Sequence, residues 1–188
     1  MSSIRLFVLG SLQSRGAMHG HGLRLLAEEE HINLWTDFTV GAVYGAMKRL
    51  AAEGLITEVR TEREGNYPER QVYDITAAGR EALRRLAADG LAEVVMRPDP
   101  FDLVLARLDP DTLDELQTAI AQRLDGYRAL LRETEERAVR ADPFLTVAER
   151  HSMLHRQFRV RAEISWHEQL LDAVPMIVTD ERSRKDLP

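Results

Sequence analysis

At Gly54 the hydrophobic period of this chain changes, and at Thr76 it changes back. Upstream, Val40, Val43, Tyr44, Met47 and Leu50 recur at the three- and four-residue spacing of one buried helical face. Downstream of Gly54, "LITEVRT" alternates Leu55, Thr57 and Val59 against Ile56, Glu58 and Arg60, and "QVYDIT" follows at 71–76; both are short β-branched and aromatic runs. Beyond Thr76, Leu83, Leu86 and Leu91 return to helical spacing as the inward side of a further helix. The chain therefore has two antiparallel strands set among helices, and a mainly α fold is expected.

Residues 4–12 and Gly20 to about Glu30 predict two helices ahead of the 39–54 segment. Thr39 is the expected N-cap of the third helix and Gly54 its stop, since glycine readily takes the left-handed conformation past a last turn. The connection "EREGNYPER" carries Gly65, Asn66 and Pro68 and reads as a long polar hairpin loop. At "RPDP", residues 97–100, two prolines interrupt helical patterning and set a boundary: 1–96 form one domain, 101–175 a helical second domain, and 176–188 a tail. In the second domain "FDLVLARL" predicts a short helix. A long helix with Pro110 in its first turn follows, striped by Leu113, Leu116, Ile120, Leu124, Tyr127, Leu131, Thr134 and Ala138. The last helix, from about Thr146 to Ala173, carries Met153, Leu154, Phe158, Val160, Ile164, Trp166 and Leu171 around much of its circumference. A second subunit is the natural cover for so much apolar surface.

Charge limits the partners. A net charge of −6 on 188 residues is unlike a strongly basic nucleic-acid binder, and residues 1–80 hold nine Lys/Arg against ten Asp/Glu. Any contact with DNA must come from local clusters such as Lys48 with Arg49, or Arg60, Arg63 and Arg70. There is no cysteine, so disulfides and thiolate metal sites are excluded. No stretch approaches the roughly 18 apolar residues of a membrane span, and no targeting segment is read at the N-terminus, so a cytoplasmic protein with no membrane partner is expected.

The outer side of the third helix, Gly41, Ala42, Gly45, Ala46, Lys48 and Arg49, is small and then basic. A solvated face of this kind, or one packed on another helix, is the plain reading of that side taken alone. His151 and His155 stand four apart on a helix and His19 and His21 bracket Gly20, but a zinc site needs a third ligand, and no metal or other cofactor is expected. Nothing has the spacing of a nucleophile with its base, a phosphate loop or a dinucleotide fingerprint, so no enzyme is expected.

Helix, helix, helix and two-stranded wing is the winged helix-turn-helix order, and three segments carry a family pattern. "MHGHGL" at 18–23, "VGAVYGAMKRLAAEGLI" at 40–56 and "YPERQVYDITAAGREAL" at 67–83 resemble the PadR family of transcriptional regulators. Gly45 stands where that family usually has proline, which costs the helix roughly 1 kcal/mol in propensity relative to alanine. His21 replaces a common tyrosine and Tyr67 a common basic residue. The resemblance implies a homodimer, joined by the C-terminal helices, that binds palindromic double-stranded operator DNA as a repressor. On this reading Ala42 and Ala46 touch base edges, Tyr44, Lys48 and Arg49 engage phosphates or a guanine, and Thr39 holds a phosphate at the helix start. Arg63, Asn66 and Arg70 flank the adjacent backbone or minor groove. It also implies release by a small-molecule effector, for which Trp35, Phe158 and Trp166 are the aromatic candidates. The competing reading is a protein-interaction winged helix that does not bind DNA.

Overall fold

A computed structural model describes residues 2–63 and 69–185, the side chains of Leu34 and Lys185 excepted. Two compact units result, Met1–Met96 and Arg97–Pro188.

The first unit runs α1 (Ser3–Arg15), β1 (Met18–His19), α2 (Gly20–Glu29), α3 (Val43–Ala52), β2 (Ile56–Glu62), β3 (Arg70–Ile75) and α4 (Ala77–Ala92). Its core is one cluster: Val8, Leu9 and Leu12 of α1, Leu23, Leu26 and Ala27 of α2, Val43, Ala46, Met47 and Leu50 of α3, and Ile56 and Ile75 of the sheet. Each large aliphatic side chain fully buried in it contributes roughly 1.5–3 kcal/mol. The two strands read from the sequence lie within one residue of their expected ends. A third, β1, extends the sheet to the antiparallel order β1-β3-β2 by pairing Met18 with Tyr73 and His19 with Val72. Two residues are too few to show a period, so nothing in the pattern announces β1.

The turn between α3 and the sheet is built by the residues that mark it. Gly54 has φ of 71°, its N–H donates to Ala51 C=O (3.0 Å), and the Leu55 N–H donates to Leu50 C=O (2.9 Å), closing the helix with paired reverse hydrogen bonds. Thr76 caps α4 by accepting from the Gly79 N–H (3.0 Å), while its hydroxyl donates to Gly54 C=O (2.8 Å). A Cβ at Gly79 would stand 2.0 Å from Leu55 O, so only glycine lets the first turn of α4 sit on this turn.

Four local expectations are corrected. Thr39 precedes a 3₁₀ turn, Val40–Ala42, that leads into α3, and its side chain makes no capping bond. Leu91 is 91% exposed instead of inward, because Leu83 and Leu86 already occupy the core side of α4. The other two concern Pro110 and the end of the chain.

The second unit contains α5 (Pro100–Leu105), α6 (Leu116–Ala141) and α7 (Val147–Lys185). A 3₁₀ turn at Leu113–Glu115 precedes α6, so Pro110 lies ahead of the helix and not in its first turn. The two long helices are antiparallel: Asp114 meets Arg182 (2.6 Å), Arg128 meets Glu168 (2.8 Å) and Glu135 meets Arg161 (2.5 Å). Exposed pairs of this kind contribute about 0–1 kcal/mol each, so they specify register more than stability. Stability comes from Ile120, Leu170 and Val174, packed with Leu116, Leu171, Ile177 and Val178. α7 continues through Pro175 to Lys185, so residues 176–185 are helix where a tail was expected. The seam of Val174, Ile177 and Val178 against α6 offsets the hydrogen bond that the proline removes. No helix among the described residues is long and apolar enough to cross a membrane.

Two glycines test this description in opposite directions. Gly79→Ala should lower stability by about 2–3 kcal/mol through overpacking, read from denaturant unfolding of the first unit. Gly126, exposed on α6 with nothing within 4 Å of an added Cβ, should gain roughly 0.5–1 kcal/mol as alanine.

Candidate nucleic-acid interface

α3 presents two faces of different chemistry. Val43, Ala46, Met47 and Leu50 point into the core, and Tyr44, Gly45, Lys48 and Arg49 point out, with Gly41 exposed and Ala42 half-buried in the preceding turn. Ala46 is 1% exposed, which removes its methyl from any groove-facing role. Tyr44 is 49% exposed and takes the outward position that the apolar pattern had assigned to Ala46. The stripe centres on Val43, Met47 and Leu50; a step of about 100° per residue carries Tyr44 to its outer edge and leaves Ala46 inside.

Tyr44 and Lys48, one turn apart, form one side of a groove of about 670 Å³ whose other side is β3, through Arg70, Gln71 and Tyr73; His21 lies at its α2 end and Glu69 also lines it. The wing side is ordered by its own hydrogen bonds. Tyr73 Oη donates to Gln71 Oε1 (3.0 Å), and Gln71 Nε2 donates to Glu58 Oε2 (2.8 Å). Arg63 is exposed at the far end of the hairpin, while Asn66 lies outside the described residues. Thr39 is exposed beside the 3₁₀ turn that leads into α3.

Arg49 has acidic company. Glu53 is chelated by Arg5 through two bonds of 2.7 and 2.6 Å, and that hydrogen bonding holds the Glu53 carboxyl below the ordinary carboxylate range, with Arg49 adding a smaller attraction. The start of α2 is set by His19, whose Nδ1 accepts from the Gly22 N–H (2.8 Å). That bond gives one histidine of the 18–23 motif a structural duty in place of a metal-binding one. His151 and His155 are both exposed, and among the described residues no three His, Cys, Asp or Glu side chains are grouped to hold a metal ion.

The aromatic effector candidates separate. Trp35 belongs to the first unit, mostly exposed, its indole N–H donating to Glu30 C=O (3.0 Å). Phe158 is 65% exposed and lies eight residues, or roughly 12 Å of helix, from Trp166. Trp166 alone enters a polar-aromatic cluster, which the sequence reading missed. It stands edge-on to Phe101 (5.9 Å) and His167 (4.8 Å). Arg123 is the hub: it pairs with Asp99, donates from Nε to His167 Nε2 (2.9 Å) and from Nη2 to Tyr127 Oη (3.1 Å), and lies 4.3 Å over the Phe101 ring. His167 is fully buried, and with Nε2 accepting, its Nδ1 donates to Glu163 C=O (2.7 Å). Asp99 also accepts the Phe101 N–H (2.9 Å), and this bond, with the charge of Arg123 adding, holds its carboxyl below the ordinary 3.8. Burial, reinforced by Glu163, pushes the Tyr127 hydroxyl up. Arg123 is 24 residues from Asp99 and 44 from His167, too far apart for any local spacing to announce them.

A helical trio whose third member is backed by the core, followed by a β-hairpin flanking its exposed face, is a winged helix. Residues 8–85 match the Transcriptional regulator PadR-like family. Solved structures share the fold over nearly the whole chain. Bacillus subtilis PadR in complex with operator DNA is 21% identical over 93% of this chain and 98% of that one, with a TM-score of 0.69. The same protein in complex with p-coumaric acid is 20% identical over 93% and 99%, also at 0.69. The PadR-like transcriptional regulator BC1756 from Bacillus cereus is 18% identical over 92% and 98%, at 0.62. None of the curated proteins matches the chain.

The Asp99 contacts predict an acid dependence. A carboxyl whose folded value is lowered stabilises fully above its ordinary value and loses that contribution as pH falls through the folded value. The difference in unfolding midpoint between the native protein and Asp99→Asn should therefore shrink as pH drops below about 4.

Proposed function

We propose that this protein is a cytoplasmic homodimer that binds operator DNA through α3 and the wing, represses transcription, and is released by a small-molecule effector. The observation that carries the reading is the outer face of α3. Gly41, Ala42 and Gly45 let the backbone approach base edges in a groove about 12 Å wide, and Tyr44, Lys48 and Arg49 stand beside them toward the phosphates. Thr39, Arg63, Asn66 and Arg70 extend the contact along the backbone. The local cations Lys48, Arg49, Arg63 and Arg70 supply attraction that the overall charge of −6 does not.

Dimerisation is supported by the outward side chains of α7, where Leu154, Phe158, Trp166 and Met176 are exposed apolar groups on a helix whose inner side already packs on α6. Two copies of α3 about one DNA turn apart would read a palindrome with half-site centres roughly 10 bp apart or a multiple of it. The effector reading is supported by the p-coumaric acid complex of Bacillus subtilis PadR. Of the three candidates, Trp166 has a cationic and hydrogen-bonding neighbourhood suited to a polar aromatic ligand, and Trp35 and Phe158 have less.

Duplex fragments selected from the source genome and mapped by protection supply the probe. Affinity should fall about a hundredfold between 50 and 200 mM salt if roughly four phosphates are contacted. A flat salt response would favour instead a winged helix that binds protein. Lys48→Ala should weaken all sequences alike and lower the salt slope by about one, whereas Arg49→Ala should also relax sequence preference. Unchanged binding by both variants would refute the assignment of α3 as the reading helix.

A further inference from the structure

Two motifs distant in sequence meet at one point on the interface. A Cβ built at Gly20 would stand 2.7 Å from Tyr44 Cε1 and 2.9 Å from its Cδ1, with Met47 Sδ at 3.3 Å. The edge of the Tyr44 ring thus lies directly on the first residue of α2, in a space that a single methyl group would fill. Half of Tyr44 remains exposed, its hydroxyl makes no hydrogen bond among the described residues, and the ring forms part of the groove wall beside Lys48. A half-exposed aromatic side chain would ordinarily sample several orientations and lose that freedom on binding, at a cost in affinity.

From this contact, and resting on the DNA-binding reading above, we infer that Gly20 is a positioning residue for DNA recognition: its bare Cα seats the Tyr44 ring so that the phenol is ordered before the duplex arrives. Ordinary van der Waals contact begins at 3.4 Å, so an alanine at position 20 must displace a ring atom now 2.7 Å away. A recognition group works within tolerances of about 0.5 Å, so a displacement the fold absorbs easily is one the interface does not. The second glycine of the motif serves the neighbouring contact, since a Cβ at Gly22 would meet the His19 ring at 3.3 Å, where that ring accepts the capping hydrogen bond.

The test is a double-mutant cycle on the full chain, with the selected duplex fragment as probe and unfolding midpoints measured in parallel. Gly20→Ala should weaken binding about tenfold, the worth of one hydrogen bond to a charged phosphate, while Gly10→Ala, where an added Cβ meets nothing within 4 Å, leaves it unchanged. In the Tyr44→Ala background, where no ring is left to displace, Gly20→Ala should cost nothing further. Should the Gly20→Ala protein fail to fold, seating predicts that the double variant folds again. A Gly20→Ala effect that persists undiminished without the Tyr44 ring, equal binding by Gly20→Ala and the native protein, or a double variant that stays unfolded would each overturn the inference. A free-protein measurement separates this from the parent reading. The ring current of Tyr44 should shift the Gly20 Hα resonance, and Tyr44→Ala should abolish that shift. A shift present in a native protein that binds no duplex fragment would reject the DNA-binding reading, and a missing shift in a protein that does bind would reject the seat alone.

Discussion

The inward packing of Val43, Met47 and Leu50 orients the rest of the first unit. These three residues, with Ala46 between them, fix the rotation of α3 about its own axis. Once they are buried against α1, α2 and the sheet, the azimuth of every other residue on the helix is determined, and Tyr44, Lys48 and Arg49 have one direction in which to point. Ala46 matters because it is small. A larger side chain there would hold α3 off its neighbours and thin the core that sets its orientation.

The same core determines where the wing stands. The glycine turn at the end of α3 delivers Ile56 and the returning Ile75 to the underside of the cluster, and Thr76 ties the returning strand of the hairpin back to the turn from which it left. Helix and hairpin are therefore one mechanical piece, joined by Gly54, Leu55, Thr76 and Gly79. The groove between Lys48 and Arg70 inherits its width from that junction.

Much of this was legible in the amino-acid order because the first unit is built from short-range rules. The period change at Gly54, the Thr76 cap and the glycine pattern of the motifs specify local geometry within a few residues, and the helices and both long strands follow. Other features required information that local patterning lacks. Tyr44 is amphipathic and Ala46 nearly neutral in such a pattern, so which of them lies inside depends on what faces α3 from elsewhere in the chain. Leu91 reads as inward only if α4 has a partner at its far end. The cluster around Arg123 joins residues from three helices, and a proline at 175 argues for an end that a neighbouring helix overrides. Of the residues singled out for DNA, Ala46 is the one that burial removes. Asn66 lies outside the described residues, and His21 and Gln71 join the groove on three-dimensional grounds alone.

Pro175 leaves a mark of a different kind on α7. Lacking an N–H, it strands the carbonyl of Leu171 without its usual partner in the next turn, so the backbone ladder is interrupted while the side-chain seam runs on through Val174, Ile177 and Val178. A ten-residue helix on its own in water would be mostly unwound. The segment from Met176 to Lys185 thus owes its winding to the antiparallel neighbour across the seam, which includes the Arg182 contact with Asp114 in the turn that leads into α6. Melting of the first turns of α6 would be felt at the last turns of α7, although the two lie about seventy residues apart along the chain.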